Sequence, residues 1–210
     1  MDGFRLVGGT GLALQLGHRI SVDIDLFTDK DFDKTNVSRL LQKEFETYVL
    51  DWQNVNELVT RIDNIKVDLF NWNVSFIRPP VVENDIVAMD KLEIGAMKLE
   101  TITTRKDKKD FFDIAFLLQE FSIRELLTCF RSKYPFLNHK MVLESLMAVD
   151  FADETNEPVL IKKMTWEDAK KIIVDSVLNF FEAIKDESVR QQQERLRKAE
   201  YLLKKKKNKE

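Results

Sequence analysis

The sequence predicts an α+β fold, with its strands early in the chain and its helices after them. Three observations carry this. Short alternating or β-branched apolar runs recur at 4–7, 20–27, 58–62 and 65–70. From residue 86 onward the apolar residues fall three and four apart, the spacing of a buried helix face. Between the two regions stands Arg78-Pro79-Pro80, which interrupts either pattern. The expected organisation is a core over 1–84, a helical region over 85–190 and a charged tail over 191–210.

The first strand, Phe4 to Val7, runs into Gly8-Gly9-Thr10. Glycine allows a sharp turn and lets a ligand approach without a Cβ in the way. Thr10 is placed to cap a helix from Gly11 to about Leu16, with Leu12 and Leu16 on one face and Gly17 as its stop. The N–H groups at such a helix start favour a phosphate, although an ordinary strand-to-helix turn has the same composition.

Ile20 to Phe27 alternates as a strand. Val22, Ile24 and Leu26 share one face, and Asp23 and Asp25 share the other. Adjacent carboxylates repel, and a divalent cation relieves that repulsion. Hard oxygen ligands suit magnesium. The same pattern also describes a half-buried strand with a wet polar face. A helix capped by Thr35 or Asn36 is expected next, with Val37, Leu40, Leu41 and Phe45 as its stripe. Residues 48–58 are ambiguous. Leu58 to Ile62 and Ile65 to Phe70 then read as strands joined by an Asp63-Asn64 turn. In the second of these, Asp68 points away from Val67 and Leu69, which makes it a candidate third acid.

Residues 86–103 read as a helix with Ile86, Met89, Ile94, Met97 and Leu99 among its apolar positions. If that helix continued, Lys98, Arg105 and Lys109 would fall on similar faces, either as a solvated basic stripe or as cations for phosphates. Asp110 and Asp113 share a face at the start of the next apolar helix, where acids also suit the helix dipole. Ser122 with Glu125 predicts a capping box for a helix to Tyr134, which Pro135 ends. Helices follow at 140–149 and, capped by Thr165, from Trp166 to about Ile184. The lysine-rich end reads as a solvated or frayed helix, with an RNA-binding arm as the alternative. His18 and His139 are isolated and are not expected to act as catalysts.

The bulk numbers narrow the function. The 210 residues are 44% hydrophobic and 33% charged, with a net charge of −3, so the chain as a whole is no basic nucleic-acid coat. One cysteine, Cys129, excludes an internal disulfide and fits a reducing cytoplasm. No apolar run approaches a membrane span, and the first residues do not form a signal peptide.

Two blocks together are specific. They are Val7-Gly8-Gly9-Thr10 through Gly17-His18-Arg19-Ile20-Ser21-Val22-Asp23-Ile24-Asp25-Leu26-Phe27, and Lys98 through Arg105 to Lys109-Asp110-Phe111-Phe112-Asp113-Ile114. In these the chain resembles the AbiEii/AbiGii nucleotidyltransferase toxin family over about residues 4–185. The resemblance implies a polymerase-beta-like nucleotidyltransferase core, with a small mixed sheet and helices, followed by a helical C-terminal part. It implies that Gly8, Gly9 and Thr10 hold nucleotide phosphates and that Asp23, Asp25 and Asp68 bind magnesium, with manganese as an alternative. Asp68 would also be the general base, and Lys98, with Arg105 and Lys109, would contact the triphosphate. Asp110 and Asp113 would support the site or touch substrate. The implied partners are a nucleoside triphosphate, an RNA or tRNA acceptor and an antitoxin encoded nearby. Relatives commonly carry a helical segment before the glycine pair, whereas seven residues precede Gly8 here.

Three other activities suit parts of the pattern. They are nucleotidyl transfer to a small molecule, γ-phosphoryl transfer, and nucleotide binding without turnover.

Overall fold

The first strand, β1 (Arg5–Leu6), passes directly into α1 (Gly8–Leu16), which Gly17 ends in the left-handed conformation with its N–H bonded to the Ala13 carbonyl. The computed structural model describes residues 3–71 and 74–207, with side chains through residue 198. After α1 come β2 (Ile24–Thr28), α2 (Lys34–Glu44), β3 (Val49–Gln53), β4 (Glu57–Ile62) and β5 (Ile65–Asn71). The helix predicted around Thr35 or Asn36 exists, but its cap is Asp33, whose carboxylate accepts the Asn36 N–H. The ambiguous stretch before Leu58 supplies β3.

A correction follows at residue 86. The apolar spacing there suggests helix, yet β6 (Val81–Glu83) and β7 (Ile86–Ala88) form a hairpin. Asn84 and Asp85 turn it with positive φ of 47° and 64°, conformations that short polar side chains tolerate. Helix α3 (Lys91–Thr104) begins only after Asp90 caps it. Arg105 closes α3, so no continuous helix joins Lys98 to Lys109. There follow α4 (Lys108–Leu118), α5 (Ile123–Lys133), α6 (His139–Met147) and α7 (Trp166–Lys207). The capping box of Ser122 and Glu125 is present, and Thr165 forms a reciprocal pair with Asp168 at the head of α7. α7 continues well past Ile184, and its lysine side chains at 204–207 lie outside the described ones.

The seven strands make one mixed sheet in the order β3-β4-β5-β2-β1-β7-β6. β2 runs parallel to β5 and antiparallel to β1, and β1 runs parallel to β7. One face carries Leu58, Val67 and Leu69, which meet Leu41 of α2. The larger core joins Val7 and Leu12 to Ile94, Leu99, Phe111, Phe112, Phe130 and Val177, so α1 and the later helices share one apolar interior. Cys129 belongs to it; burial, with the nearby charge of Glu93, pushes its thiol up to about 11. No helix among the described residues is long and apolar enough to cross a membrane.

Candidate active site

Strand register decides which acids meet. In the β2–β5 pair, Asp25 stands opposite Asp68, and Phe27 opposite Phe70. The side chains of a parallel pair at one register position share a face, so Asp25 and Asp68 lie side by side. Burial pushes the Asp25 carboxyl above its ordinary range, and the charge of Asp68 adds to this while Lys66 and Lys98 oppose it. Asp23 also contributes repulsion, from an exposed segment without regular structure just before β2. The predicted strand from Ile20 therefore starts later than expected. Lys66 bonds Asp68 Oδ2, whereas Asp68 Oδ1 is buried with no hydrogen-bond partner.

The glycine turn packs onto this acid pair. α1 begins at Gly8, three residues earlier than the sequence suggests. Val7 is its N-cap and provides no side-chain hydrogen bond, so the first N–H groups keep their donor capacity. Gly8 has φ of +63°, and a Cβ there would run into the Asp25 carboxylate. A Cβ on Gly9 would run into the Arg19 guanidinium and lie 2.9 Å from Ser21 Oγ. Thr10 is not the cap. Its hydroxyl donates to the Asp23 carbonyl and lies 3.0 Å from Ser21 Oγ, which ties the helix start to the segment carrying Asp23.

The facing wall is a buried ion cluster. Asp113 accepts Arg19 Nε at 2.6 Å and Nη2 at 2.9 Å, pairs with Lys98 Nζ at 2.7 Å and lies 2.7 Å from His18 Nε2. Asp110 receives Lys98 at 2.7 Å and Arg105 Nε at 2.8 Å. Burial alone would raise both carboxyls, but Lys98 with Arg19 and His18 holds Asp113 far below the ordinary range. Lys98 and Arg105 likewise hold Asp110 down. The lysine ammonium is pushed up by the same two acids, against the opposing effect of burial. Three permanent cations thus face two carboxylates in this cluster.

A cleft of about 610 Å³ separates the two walls. Gly8, Gly9, Asp23, Asp25, Lys66, Asp68, Lys98, Arg105 and Lys109 all line it, whereas Thr10, Asp110 and Asp113 do not. The two late acids stand behind the cations that reach the cleft. A strap at 156–159 closes one side, held by the Arg19–Leu160 bridge and the Ile20 N–H to Val159 carbonyl bond of 2.9 Å. Sequence reasoning passed over His18 and Arg19 as site residues. Their signal was weak because their partner, Asp113, lies more than ninety positions away. The adjacent pair between Gly17 and the two aspartates was the only hint.

The donor set suits a hard divalent cation. Asp25 and Asp68 are juxtaposed, their charges repel, and Asp68 Oδ1 has an unused acceptor site. Among the described residues, no group of three or more Asp, Glu, His or Cys side chains is placed to hold a metal ion. The register pair stands together, and Asp23 lies on the exposed segment just before β2.

Solved structures share this mixed sheet followed by a helical C-terminal part. A structure described as a nucleotidyltransferase from H. pylori superposes with a TM-score of 0.55 at 14% identity, covering 88% of each chain. JHP933 from Helicobacter pylori gives 0.54 at 15% identity, covering 90% of this chain and 88% of that one. An uncharacterised protein of Aquifex aeolicus is 32% identical over 186 residues, which span 85% of this chain and 88% of its own. The profile for the nucleotidyl transferase AbiEii toxin of type IV toxin–antitoxin systems matches residues 1–203, and the chain belongs to that family. It is a nucleotidyltransferase.

Proposed function

We infer that the protein transfers a nucleoside monophosphate from a nucleoside triphosphate to a hydroxyl of an RNA acceptor, and that this makes it the toxin of a toxin–antitoxin pair. The observation that carries this reading is the Asp25–Asp68 pair lying beneath the uncapped start of α1. The acceptor oxygen bonds to the α-phosphorus, the bond from that phosphorus to the bridging β-phosphate oxygen breaks, and pyrophosphate leaves. Asp68 takes the proton from the attacking hydroxyl.

The N–H groups of Gly8 and Gly9 meet the departing phosphates, with Arg19, Lys98 and Arg105 completing the positive side of the cleft. Lys109 lies on the cleft lining, within reach of the same polyanion. Asp110 and Asp113 orient Lys98, Arg105 and Arg19 and do not touch substrate. Asp25, Asp68 and Asp23 would hold magnesium, or manganese, which when bound neutralises the developing charge on the phosphate oxygens.

The test is incubation of the purified protein with total RNA, magnesium and each α-labelled triphosphate in turn. Label on RNA that disappears with Asp68→Asn supports the reading. A parallel incubation with γ-labelled triphosphate in which the label passes to the acceptor instead would make the reaction phosphoryl transfer.

A further inference from the structure

The sheet does not end at the acids. Register continues from Asp25 to Asp68 on β5, from Asp68 to Val59 on β4, and from Val59 to Trp52 on β3. Residues directly opposed across a ladder share a face, so Trp52 stands in the same cross-strand row as the two acids. The neighbouring row is Lys66, Arg61 and Val49. The opposite face is the one that packs on α2, through Leu58, Val67 and Leu69. The bulge between Leu50 and Trp52 leaves Asp51 beside Arg61, 2.8 Å from its guanidinium.

On the acid side, Trp52 is 47% exposed and Val49 is 51% exposed, and the side chains of Arg61 and Lys66 are 55% and 49% exposed. The cleft reaches Lys66, Asp68 and Phe70, and beyond its lining Arg61 continues the Lys66 row and Trp52 the Asp68 row.

The direction of the reaction selects an occupant for this surface. Attacking and leaving oxygens lie roughly in line across the transferred phosphorus. The phosphate-gripping end of α1 adjoins β1, on one side of β2, and β5 adjoins β2 on the other. With pyrophosphate leaving on the β1 side, the acceptor enters from the β5 side, over β4 and β3. Strands are spaced about 4.8 Å apart, so Trp52 sits roughly 10 Å from Asp68, about one to two nucleotides back from an attacking terminal hydroxyl.

We propose that the acid-side face of β3, β4 and β5, through its exposed Trp52, Arg61 and Lys66, is the acceptor subsite, and that it takes the unpaired end of a single-stranded RNA, with a base stacked on Trp52 and backbone phosphates near Arg61 and Lys66. An exposed indole beside cations suits a base face and its phosphate without demanding a particular base. This assignment rests on the nucleotidyl-transfer reading above.

The experiment compares the full-length protein with Trp52→Ala and Trp52→Phe. It measures binding of a fluorescein-labelled single-stranded oligoribonucleotide, the KM for RNA and the KM for the triphosphate, with melting and sedimentation of each protein. Trp52→Ala should weaken oligoribonucleotide binding and raise the RNA KM about tenfold or more, while the triphosphate KM holds and Trp52→Phe recovers most of the loss. Unchanged RNA binding overturns the proposal, as does an equal loss toward RNA and triphosphate. A wild-type dimer that Trp52→Ala dissociates also overturns it, because β3 is an edge strand and its face would then belong to a second copy. If the wild type transfers no nucleotide to any acceptor, the proposed function fails, and the oligoribonucleotide binding still decides the subsite.

Discussion

The cleft has two walls built from the same amino acid in opposite states. On the sheet wall, Asp25 and Asp68 are neighbours in register, and burial and mutual repulsion push the Asp25 carboxyl up. On the helical wall, Asp110 and Asp113 are fully buried, yet cations hold both carboxyls down. The difference lies in the partners. Asp113 has every oxygen bonded to a cation or to His18, whereas Asp68 keeps an unpartnered oxygen. An under-satisfied carboxylate beside another is a place to put a cation or a proton, and a saturated one is a clamp.

The contrast predicts opposite mutational signatures. Asp25→Asn with Asp68→Asn should lower nucleotidyl transfer about a thousandfold or more and leave the melting temperature equal or higher, since repulsion is removed. A lower melting temperature together with retained transfer would reverse the roles of the walls. Asp113→Ala strips Arg19, Lys98 and His18 of their shared partner and leaves charge buried. It should cost about 3–5 kcal/mol of stability in denaturant melts, with activity lowered because Arg19 and Lys98 lose a partner that orients them.

The walls should also respond to pH with opposite sign. The folded pKa values of Asp110 and Asp113 are depressed, so their stabilisation is present above the ordinary carboxylate pKa and is lost as pH falls through the lower folded values. Asp25 is raised, so the folded state holds its proton more tightly, and stability falls as pH rises from the ordinary carboxylate pKa through the folded value. Melting curves across that interval should therefore decline more steeply for the wild type than for Asp25→Asn. Parallel curves would remove Asp25 from the contrast.

A smaller effect is expected at the turn between the walls. Gly9→Ala presses a methyl group against Ser21 Oγ and the Arg19 guanidinium. It should cost about 1–3 kcal/mol and raise the triphosphate KM several-fold, and unchanged kinetics would place the phosphates elsewhere.

Part of this was legible in the residue pattern. The two glycines, the alternating aspartates and Asp68 on a later strand marked the sheet wall, because period-two alternation assigns faces without knowledge of the neighbours. Which strands pair was not legible, since the register of Asp25 with Asp68 depends on β5 lying next to β2 across an intervening helix and hairpin. The β6–β7 hairpin was misread because Ile86 and Met89 also fit the apolar spacing of Ile94 and Met97, and Asn84-Asp85 was the turn signal that outweighed it. Thr10 looked like a cap because strand-to-helix turns often place one there. The chain instead enters helix at Gly8 and spends the hydroxyl on the Asp23 carbonyl. His18 and Arg19 had no local partner to betray them.

The contrast is tested most directly by melting the wild type and the Asp25→Asn/Asp68→Asn variant with and without magnesium. Magnesium should raise the wild-type melting temperature by relieving the acid pair, and the variant should melt at or above the metal-free wild type without responding to the ion. A variant that melts below the metal-free wild type, or that gains as much from magnesium, would contradict the assignment of the sheet acids as the cation-holding pair.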